Sequence, residues 1–213
     1  STDGGASWNT TGLSFSVDQQ QTVNKIIIHP NYSDSLYAVT NSNIRISADG
    51  GNNWQIVGTI GRWRDIEFKP DNPRVLYAAK QSSGNSQIFR STDGGTNWAN
   101  ISGGMLSSRY RPLIAVTPEN PNVIYALFSA ADYGYHGLYK SSDAGDSWVL
   151  QSNTPNILGR ETDGNGTGGQ SWYDLSLGVA PNNENLVYVG GINLWRSDDG
   201  GVNWDVDGSS GNR

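Results

Sequence analysis

Residues 91–98 read STDGGTNW, and four close variants of this stretch occur elsewhere in the chain. We call each copy a box. The other four are STDGGASW (1–8), SADGGNNW (47–54), SSDAGDSW (141–148) and SDDGGVNW (197–204). The box tryptophans stand at positions 8, 54, 98, 148 and 204, so the repeat is 44 to 56 residues long. This period is typical of propeller blades, which have four strands each. The sequence therefore predicts a repeat protein.

A second pattern precedes the box in each full repeat. It has an apolar strand, a turn rich in proline and asparagine, and a second apolar strand that contains a tyrosine, as in IEFKPDNPRVLYAA (66–79). Proline has no N–H to donate to a ladder, so the prolines mark strand ends. A third short strand leads into the box, and the box tryptophan opens a fourth. We predict an all-β fold, a β-propeller of four-stranded antiparallel blades with the box turn between the third and fourth strands.

The repeats divide the chain into one propeller segment with four full blades plus one strand. Residues 1–22 are assigned to the box and last strand of a preceding blade, 23–63 and 64–110 to the first two full blades, 111–172 to a blade with a glycine-rich insert, and 173–213 to the last blade and exit. An open arc leaves sheet faces and edges without partners. We therefore expect further blades of the same polypeptide to close a ring of roughly six to ten.

The residue types of the box indicate a structural role. An aspartate in a tight turn can accept backbone N–H groups, glycine supplies a positive φ, and the tryptophan packs against the blade. We expect this role for Asp3, Trp8, Asp49, Trp54, Asp93, Trp98, Asp143, Trp148, Asp199 and Trp204.

Composition excludes several classes of function. The net charge is −6 and no basic run is present, which argues against nucleic acid as a partner. No apolar run is long enough to span a bilayer. The chain has no cysteine, which excludes disulfides and thiol chemistry.

The boxes and the turns between them resemble the Asp-box propellers, also called bacterial neuraminidase repeat propellers. That superfamily includes sialidases, xyloglucan-cleaving glycoside hydrolases, sortilin-type receptors and a photosystem assembly factor. Residues 166–204 are most similar to sortilin-like repeat proteins exported by Bacteroidota. The resemblance implies a bacterial protein that is secreted or held at the outer surface. It does not imply an activity, because enzymes and non-enzymes share the repeat.

The catalytic motifs of these enzymes do not match this chain. Sialidases have an arginine triad, a Tyr/Glu pair and an Arg-Ile-Pro motif, whereas here Arg45 and Ile46 are followed by Ser47. Xyloglucanase-like enzymes carry a catalytic aspartate after the second strand of a blade. At that place only Asp132 offers a carboxylate, and its sequence context differs.

The connections from the last strand of one blade to the first strand of the next are aromatic and charged. In propellers these connections and those between the second and third strands converge over the central channel. Rings and guanidinium groups suit sugar or peptide recognition. The candidate ligand-binding residues are Arg62, Trp63, Arg64, Arg109, Tyr110, Arg111, Trp172 and Tyr173. When the blades are aligned on their prolines, Asp65 falls opposite Lys25 and Asp174 opposite Arg111. These residues could instead form salt bridges between blades.

The function that these patterns favour is a binding scaffold for a glycan or peptide. The alternative is a glycoside hydrolase of the xyloglucanase type, with Asp65 and Asp174 as its carboxylate pair. A third hypothesis is an assembly or secretion factor that binds a peptide of another protein.

No cofactor is expected, with calcium as the one alternative. Asp163, Asn165 and Thr167, followed by Asp174, fit the spacing of a calcium loop, although a flexible loop explains the same glycine-rich stretch. His29 and His136 are far apart in sequence and do not suggest a transition-metal site.

Overall fold

The structure is a computed structural model and describes residues 1 and 3–206. It contains four separate four-stranded antiparallel sheets, each built from consecutive strands, which we call blades 1 to 4. Blade 1 consists of β1 (Val23–His29), β2 (Tyr32–Thr40), β3 (Ile44–Ser47) and β4 (Gln55–Val57). Blade 2 consists of β5 (Arg62–Lys69), β6 (Asn72–Gln81), β7 (Gln87–Ser91) and β8 (Ala99–Asn100). Blade 3 consists of β9 (Pro112–Val116), β10 (Ile124–Ser129), β11 (Tyr135–Ser141) and β12 (Val149–Ser152). Blade 4 consists of β13 (Ser176–Ala180), β14 (Asn183–Gly190), β15 (Leu194–Ser197) and β16 (Asp205–Val206).

The blades stand side by side in an open arc. The first strands make the contacts, β1 with β5, β5 with β9, and β9 with β13. Within the described residues the sheets do not close into a ring. The all-β propeller fold predicted from the sequence is confirmed, and the unclosed arc of four full blades is consistent with a partial ring. No helix among the described residues is long and apolar enough to cross a membrane.

The hydrophobic core lies between blades. Three buried clusters each combine side chains of two neighbouring blades, for example Tyr37 and Val39 of blade 1 with Ile66 and Leu76 of blade 2. The second strands carry the central tyrosines, and the Tyr125 hydroxyl donates to the Glu184 carbonyl of the next blade at 2.9 Å. Packing between blades therefore holds the arc together.

The box turns lie between the third and fourth strands, and their carboxylates bond within the turn. In the box of blade 2, Asn97 N–H donates to Asp93 Oδ1 at 2.9 Å, and Gly95 N–H donates to Ser91 Oγ at 2.9 Å. Gly95 has φ +89°, a conformation in which L side chains are strained. Hydrogen bonds from the Asn97 backbone and side chain, and then from Ser91, lower the pKa of Asp93 to about 2.

One predicted element is absent. The sequence predicts the last strand of a preceding blade near Trp8, but the residues from 8 to 22 contain only a 3₁₀ turn, Val17–Gln19. A strand needs a ladder partner, and the backbone contacts of this segment are isolated: Gly12 N–H donates to the Gly51 carbonyl at 2.8 Å, and the Thr22 carbonyl accepts from Asn41 N–H at 3.1 Å. Trp8 is 79% exposed in consequence. The predicted exit, residues 207–213, lies outside the described residues.

Candidate functional site

The first strands of all four blades line a shared cavity of about 270 Å³, which we call the channel cavity. Its lining residues are Asn24, Lys25, Arg64, Asp65, Arg111, Leu113, Ile114, Leu175, Ser176 and Leu177. Polar side chains come from blades 1 to 3, whereas blade 4 contributes mainly leucines. The channel predicted from the repeat pattern is therefore lined unevenly, with its charges on one side.

Two β-bulges direct side chains toward this cavity. The register of β1 jumps between Val23 and Lys25, and that of β5 jumps between Trp63 and Asp65. Each jump leaves one extra residue, Asn24 or Arg64, and bulges of this kind re-aim side chains near functional sites. The Arg64 guanidinium donates to Asn24 Oδ1 at 3.3 Å, so the two bulges are joined across the blade boundary.

Asp65 is engaged on both carboxylate oxygens and only 4% exposed. Lys25 Nζ lies 2.6 Å from Asp65 Oδ1, and Ile114 N–H donates to Asp65 Oδ2 at 2.9 Å. Lys25 also contacts Glu67 Oε1 at 2.5 Å. Burial lowers the pKa of Lys25, but the two carboxylates more than offset this and leave it raised. Burial raises the pKa of Glu67, and Lys25 counteracts only part of that effect. Asp65 therefore joins blades 1, 2 and 3, as the salt-bridge alternative predicts.

Asp174, the second predicted carboxylate, has a different environment. Its Oδ1 atom is buried and has no hydrogen-bond partner, as is also true of Arg111 Nε. Burial lowers the pKa of Arg111, and the Asp174 charge opposes this effect, so the two groups attract each other. They do not form one of the ion pairs among the described residues, and the Arg111 guanidinium instead donates to the Ser171 carbonyl at 2.8 Å.

A second cavity of about 200 Å³, the rim cleft, shares Arg64 and Arg111 with the channel cavity. Its lining residues are Arg62, Arg64, Gln81, Tyr110, Arg111, Ser129, Tyr133 and Trp172. It therefore brings together five of the eight residues predicted to bind a ligand. No carboxylate lines it.

Exposed aromatic rings border the rim cleft. Tyr133 is 50% exposed, Trp172 59% and Tyr173 75%, and the rings of Trp172 and Tyr173 lie 5.5 Å apart. Tyr133 has φ +68°, an uncommon conformation for a residue with a bulky side chain. Such a backbone outlier at a cleft points to a functional position.

The glycine-rich insert folds against blade 3 and supports these rings. Asn156 Nδ2 donates to the carbonyls of Gly166 and Gly168 at 2.9 Å, and Asp132 Oδ2 accepts from Gly168 N–H at 3.0 Å. Ile157 and Leu158 are buried in the cluster between blades 3 and 4. The insert is thus anchored by side-chain hydrogen bonds and by two buried apolar residues.

The calcium loop stays a prediction. Asp163 accepts hydrogen bonds from the backbone and side-chain amides of Asn165, at 3.0 and 2.9 Å, and the first of these contributes most to its lowered pKa. The described residues contain no group of three or more histidine, cysteine, aspartate or glutamate side chains that could hold a metal ion.

Two predicted ligand-binding residues are buried. Trp63 is fully buried between Phe89 and Trp98, and its indole N–H donates to the Thr59 carbonyl at 3.1 Å. Arg109 is 4% exposed, and its Nε donates to the Ser86 carbonyl at 3.0 Å. Both side chains stabilise blade packing and present no surface to a ligand.

Three residues of the rim cleft, Gln81, Ser129 and Tyr133, are not among those predicted from the sequence. All three lie in or beside connections between a second and a third strand, so position in the repeat was the signal that could have identified them.

Comparison with known proteins supports the fold. No family model matches the chain. It is 31% identical to a xyloglucanase of Paenibacillus sp over 144 residues, which are 60% of this chain and 14% of that enzyme. The structure of the GH74 xyloglucanase from Xanthomonas campestris covers 85% of this chain with a TM-score of 0.65 and 16% identity, the match spanning 30% of that structure. YCF48 bound to D1 peptide covers 98% with a TM-score of 0.60 and 22% identity, over 59% of its own length.

The chain spans less than a quarter of the length of the xyloglucanases that it matches in sequence. Over the matched part, the chain is similar to glycoside hydrolase propellers in sequence and fold. That similarity alone does not establish an activity.

Proposed function

We propose that the chain belongs to a secreted or surface-exposed propeller that binds a polysaccharide at the rim cleft. The observation that carries this proposal is the presence of the exposed rings of Tyr133 and Trp172 in the same cleft as three guanidinium groups, with the Tyr173 ring beside that of Trp172. Flat aromatic faces can stack on sugar rings, while arginine and glutamine side chains bond hydroxyl groups. The secreted or surface-exposed location in this proposal is supported by the ligand class, because large polysaccharides such as xyloglucan do not cross a membrane.

Hydrolysis is the second candidate, supported by the sequence similarity to xyloglucanases. It requires two carboxyl groups about 5 to 9.5 Å apart across the scissile bond. Asp65 is a poor member of such a pair, because both its oxygens hold neighbouring blades. Asp174 has a free oxygen, but that atom is buried. The geometry therefore favours binding over hydrolysis by these two residues.

The test is affinity electrophoresis of the 213-residue chain in gels that contain xyloglucan. We expect retardation by the polymer, and Trp172→Ala should weaken binding about tenfold because a stacking ring is lost. Trp8→Ala is the matched control, since Trp8 is also exposed but lies in the first box, outside both cavities. Equal behaviour of the two variants, or no retardation of the wild type by any polysaccharide, would contradict the proposal.

The enzyme alternative is tested on the same material with a reducing-sugar assay. Release of sugar that disappears in Asp174→Asn, with folding intact, would replace the binding proposal by the hydrolase. Binding without release leaves the scaffold as the function.

A further inference from the structure

The three arginines of the rim cleft have no carboxylate partner. Arg62, Arg64 and Arg111 take part in none of the six ion pairs found among the described residues. Arg64 Nε donates to the Gln81 side chain at 2.5 Å, and Arg111 donates to a backbone carbonyl. Neutral acceptors therefore position the guanidinium groups of Arg64 and Arg111, and no carboxylate among the described residues forms an ion pair with any of the three arginines.

The arginines also repel one another. Burial first, and then the charges of Arg111 and Arg62, lower the pKa of Arg64 to about 10. Arg64 is therefore still protonated at neutral pH, and the cluster carries its positive charge at a cost in stability.

The positive charge of the rim cleft does not follow from the composition of the chain. The chain has 20 acidic and 14 basic residues, so carboxylates are in excess, yet none lines the rim cleft. The two acidic residues Asp65 and Asp174 do not neutralise the arginines of the cleft. Asp65 is paired with Lys25, and Asp174 attracts Arg111 without bonding to it. Uncompensated charge of one sign in a concave site is the arrangement that attracts a ligand of the opposite sign.

We propose that the polysaccharide bound at the rim cleft is acidic, with a uronate carboxylate received by Arg62, Arg64 and Arg111. This inference rests on the proposed function, because it specifies the ligand class of the same site. Guanidinium forks match carboxylates in geometry and form charge-assisted hydrogen bonds with them. The rings of Tyr133 and Trp172 then contact the sugar face next to that carboxylate.

An acidic peptide presents the same charge, but the surroundings favour a sugar. Two exposed rings line the cleft, Tyr173 lies beside one of them, and the stronger sequence similarity is to enzymes named for a polysaccharide. The similarity to YCF48 bound to D1 peptide, at 22% identity, shows the fold alone.

The experiment compares two forms of one polymer by isothermal titration calorimetry with the 213-residue chain. Polygalacturonate oligomers carry a carboxylate on every sugar, and their methyl esters have the same backbone without the charge. We expect the charged form to bind at least about tenfold more tightly, with an advantage that decreases as salt is raised.

Arg62→Gln is the diagnostic variant, because Arg62 is exposed and its replacement should not disturb the core. It should weaken binding of polygalacturonate about tenfold and binding of the methyl ester clearly less, because the ester keeps the hydroxyl groups but has no charge for the guanidinium group to pair with. Arg74→Gln is the control, since Arg74 is an exposed arginine of the same blade near the box turn, where its carbonyl accepts from Gly94 N–H. It should bind both polymers as the wild type does.

The outcomes separate this inference from the proposed function. If xyloglucan or the methyl ester binds as well as polygalacturonate and Arg62→Gln has no effect, the acidic ligand is wrong and the polysaccharide scaffold stands. If no polysaccharide binds, both this inference and the proposed function are wrong. If poly-glutamate binds in an Arg62-dependent manner while polygalacturonate does not, the ligand is an acidic peptide and both are overturned.

Discussion

The backbone N–H of Ile114 donates to the Asp65 carboxylate across the boundary between blades 2 and 3, at 2.9 Å. On the opposite side Lys25 of blade 1 reaches the same carboxylate at 2.6 Å. One buried side chain thus connects three blades close to the channel. This connection explains why a carboxylate is buried in the first strand of blade 2.

Asp65→Ala should destabilise the chain strongly. The change leaves Lys25 without one of its two carboxylates and the Ile114 N–H without its acceptor. Removing one partner of a buried ion pair costs about 3 to 5 kcal/mol. Urea unfolding followed by tryptophan fluorescence measures the loss. Asp71→Ala is the matched control, because the Asp71 side chain is 53% exposed in its ion pair with Lys69 and its removal should cost less than about 1 kcal/mol. Similar effects of the two changes would contradict the connecting role of Asp65.

Acid should weaken the fold through the box aspartates. The pKa of Asp93 is about 2 in the folded chain, below its ordinary value of 3.8, so folding favours the charged carboxylate. Its contribution is complete above pH 4 or so and is lost as the pH falls toward 2. Asp49 and Asp143 have the same shift.

Asp93→Asn tests this pH dependence. The variant should have a lower Tm than the wild type at pH 7, and the difference should shrink between about pH 4 and pH 2, where the wild-type carboxylate becomes protonated. Asp18→Asn serves as the control, since Asp18 is exposed and outside the boxes. A gap in Tm that stays constant down to pH 2 would show that charge at Asp93 is not what stabilises the turn.

Gly201→Ala should be more damaging than Gly104→Ala, although both glycines have positive φ. A Cβ at Gly201 would lie 2.2 Å from Leu138 Cδ2, whereas one at Gly104 would meet nothing within 4 Å. Backbone strain alone costs about 1 kcal/mol, and overpacking adds about 1 to 3 kcal/mol. We expect the midpoints of urea unfolding to separate accordingly. Equal losses would mean that Leu138 moves aside without cost.

The repeat pattern predicted the blades because each box combines turn chemistry with a fixed place in the sheet. It also predicted that Lys25 and Asp65 face each other, since aligning prolines fixes the register of neighbouring first strands. The bulges at Asn24 and Arg64 could not be predicted, because no local residue pattern demands an extra residue there. The position of Trp172 depends on the fold of the insert, which Asn156 holds through contacts remote in sequence.

Trp63 and Trp172 look equivalent in the sequence, since each lies in a charged connection before a blade. Replacing Trp63 should reduce mainly stability, whereas replacing Trp172 should reduce mainly ligand binding. Trp63 is fully buried against Phe89 and Trp98, so Trp63→Ala should cost about 3 to 5 kcal/mol of folding free energy. Trp172 is 59% exposed and Trp172→Ala should change stability by less than about 0.5 kcal/mol.

The two changes should affect polysaccharide binding in the reverse order, with the larger loss of affinity in Trp172→Ala. At a temperature where both variants are folded, Trp63→Ala retains the exposed rings of the rim cleft, whereas Trp172→Ala lacks one of them. Measuring urea unfolding and affinity electrophoresis on the same preparations gives both properties for each variant. Suppose instead that folded Trp63→Ala loses binding and Trp172→Ala does not. The ligand site would then lie at the interface of blades 1 and 2, which Trp63 supports, and not at the rim cleft. The reason is that a buried ring can affect binding only through the geometry of the strands around it.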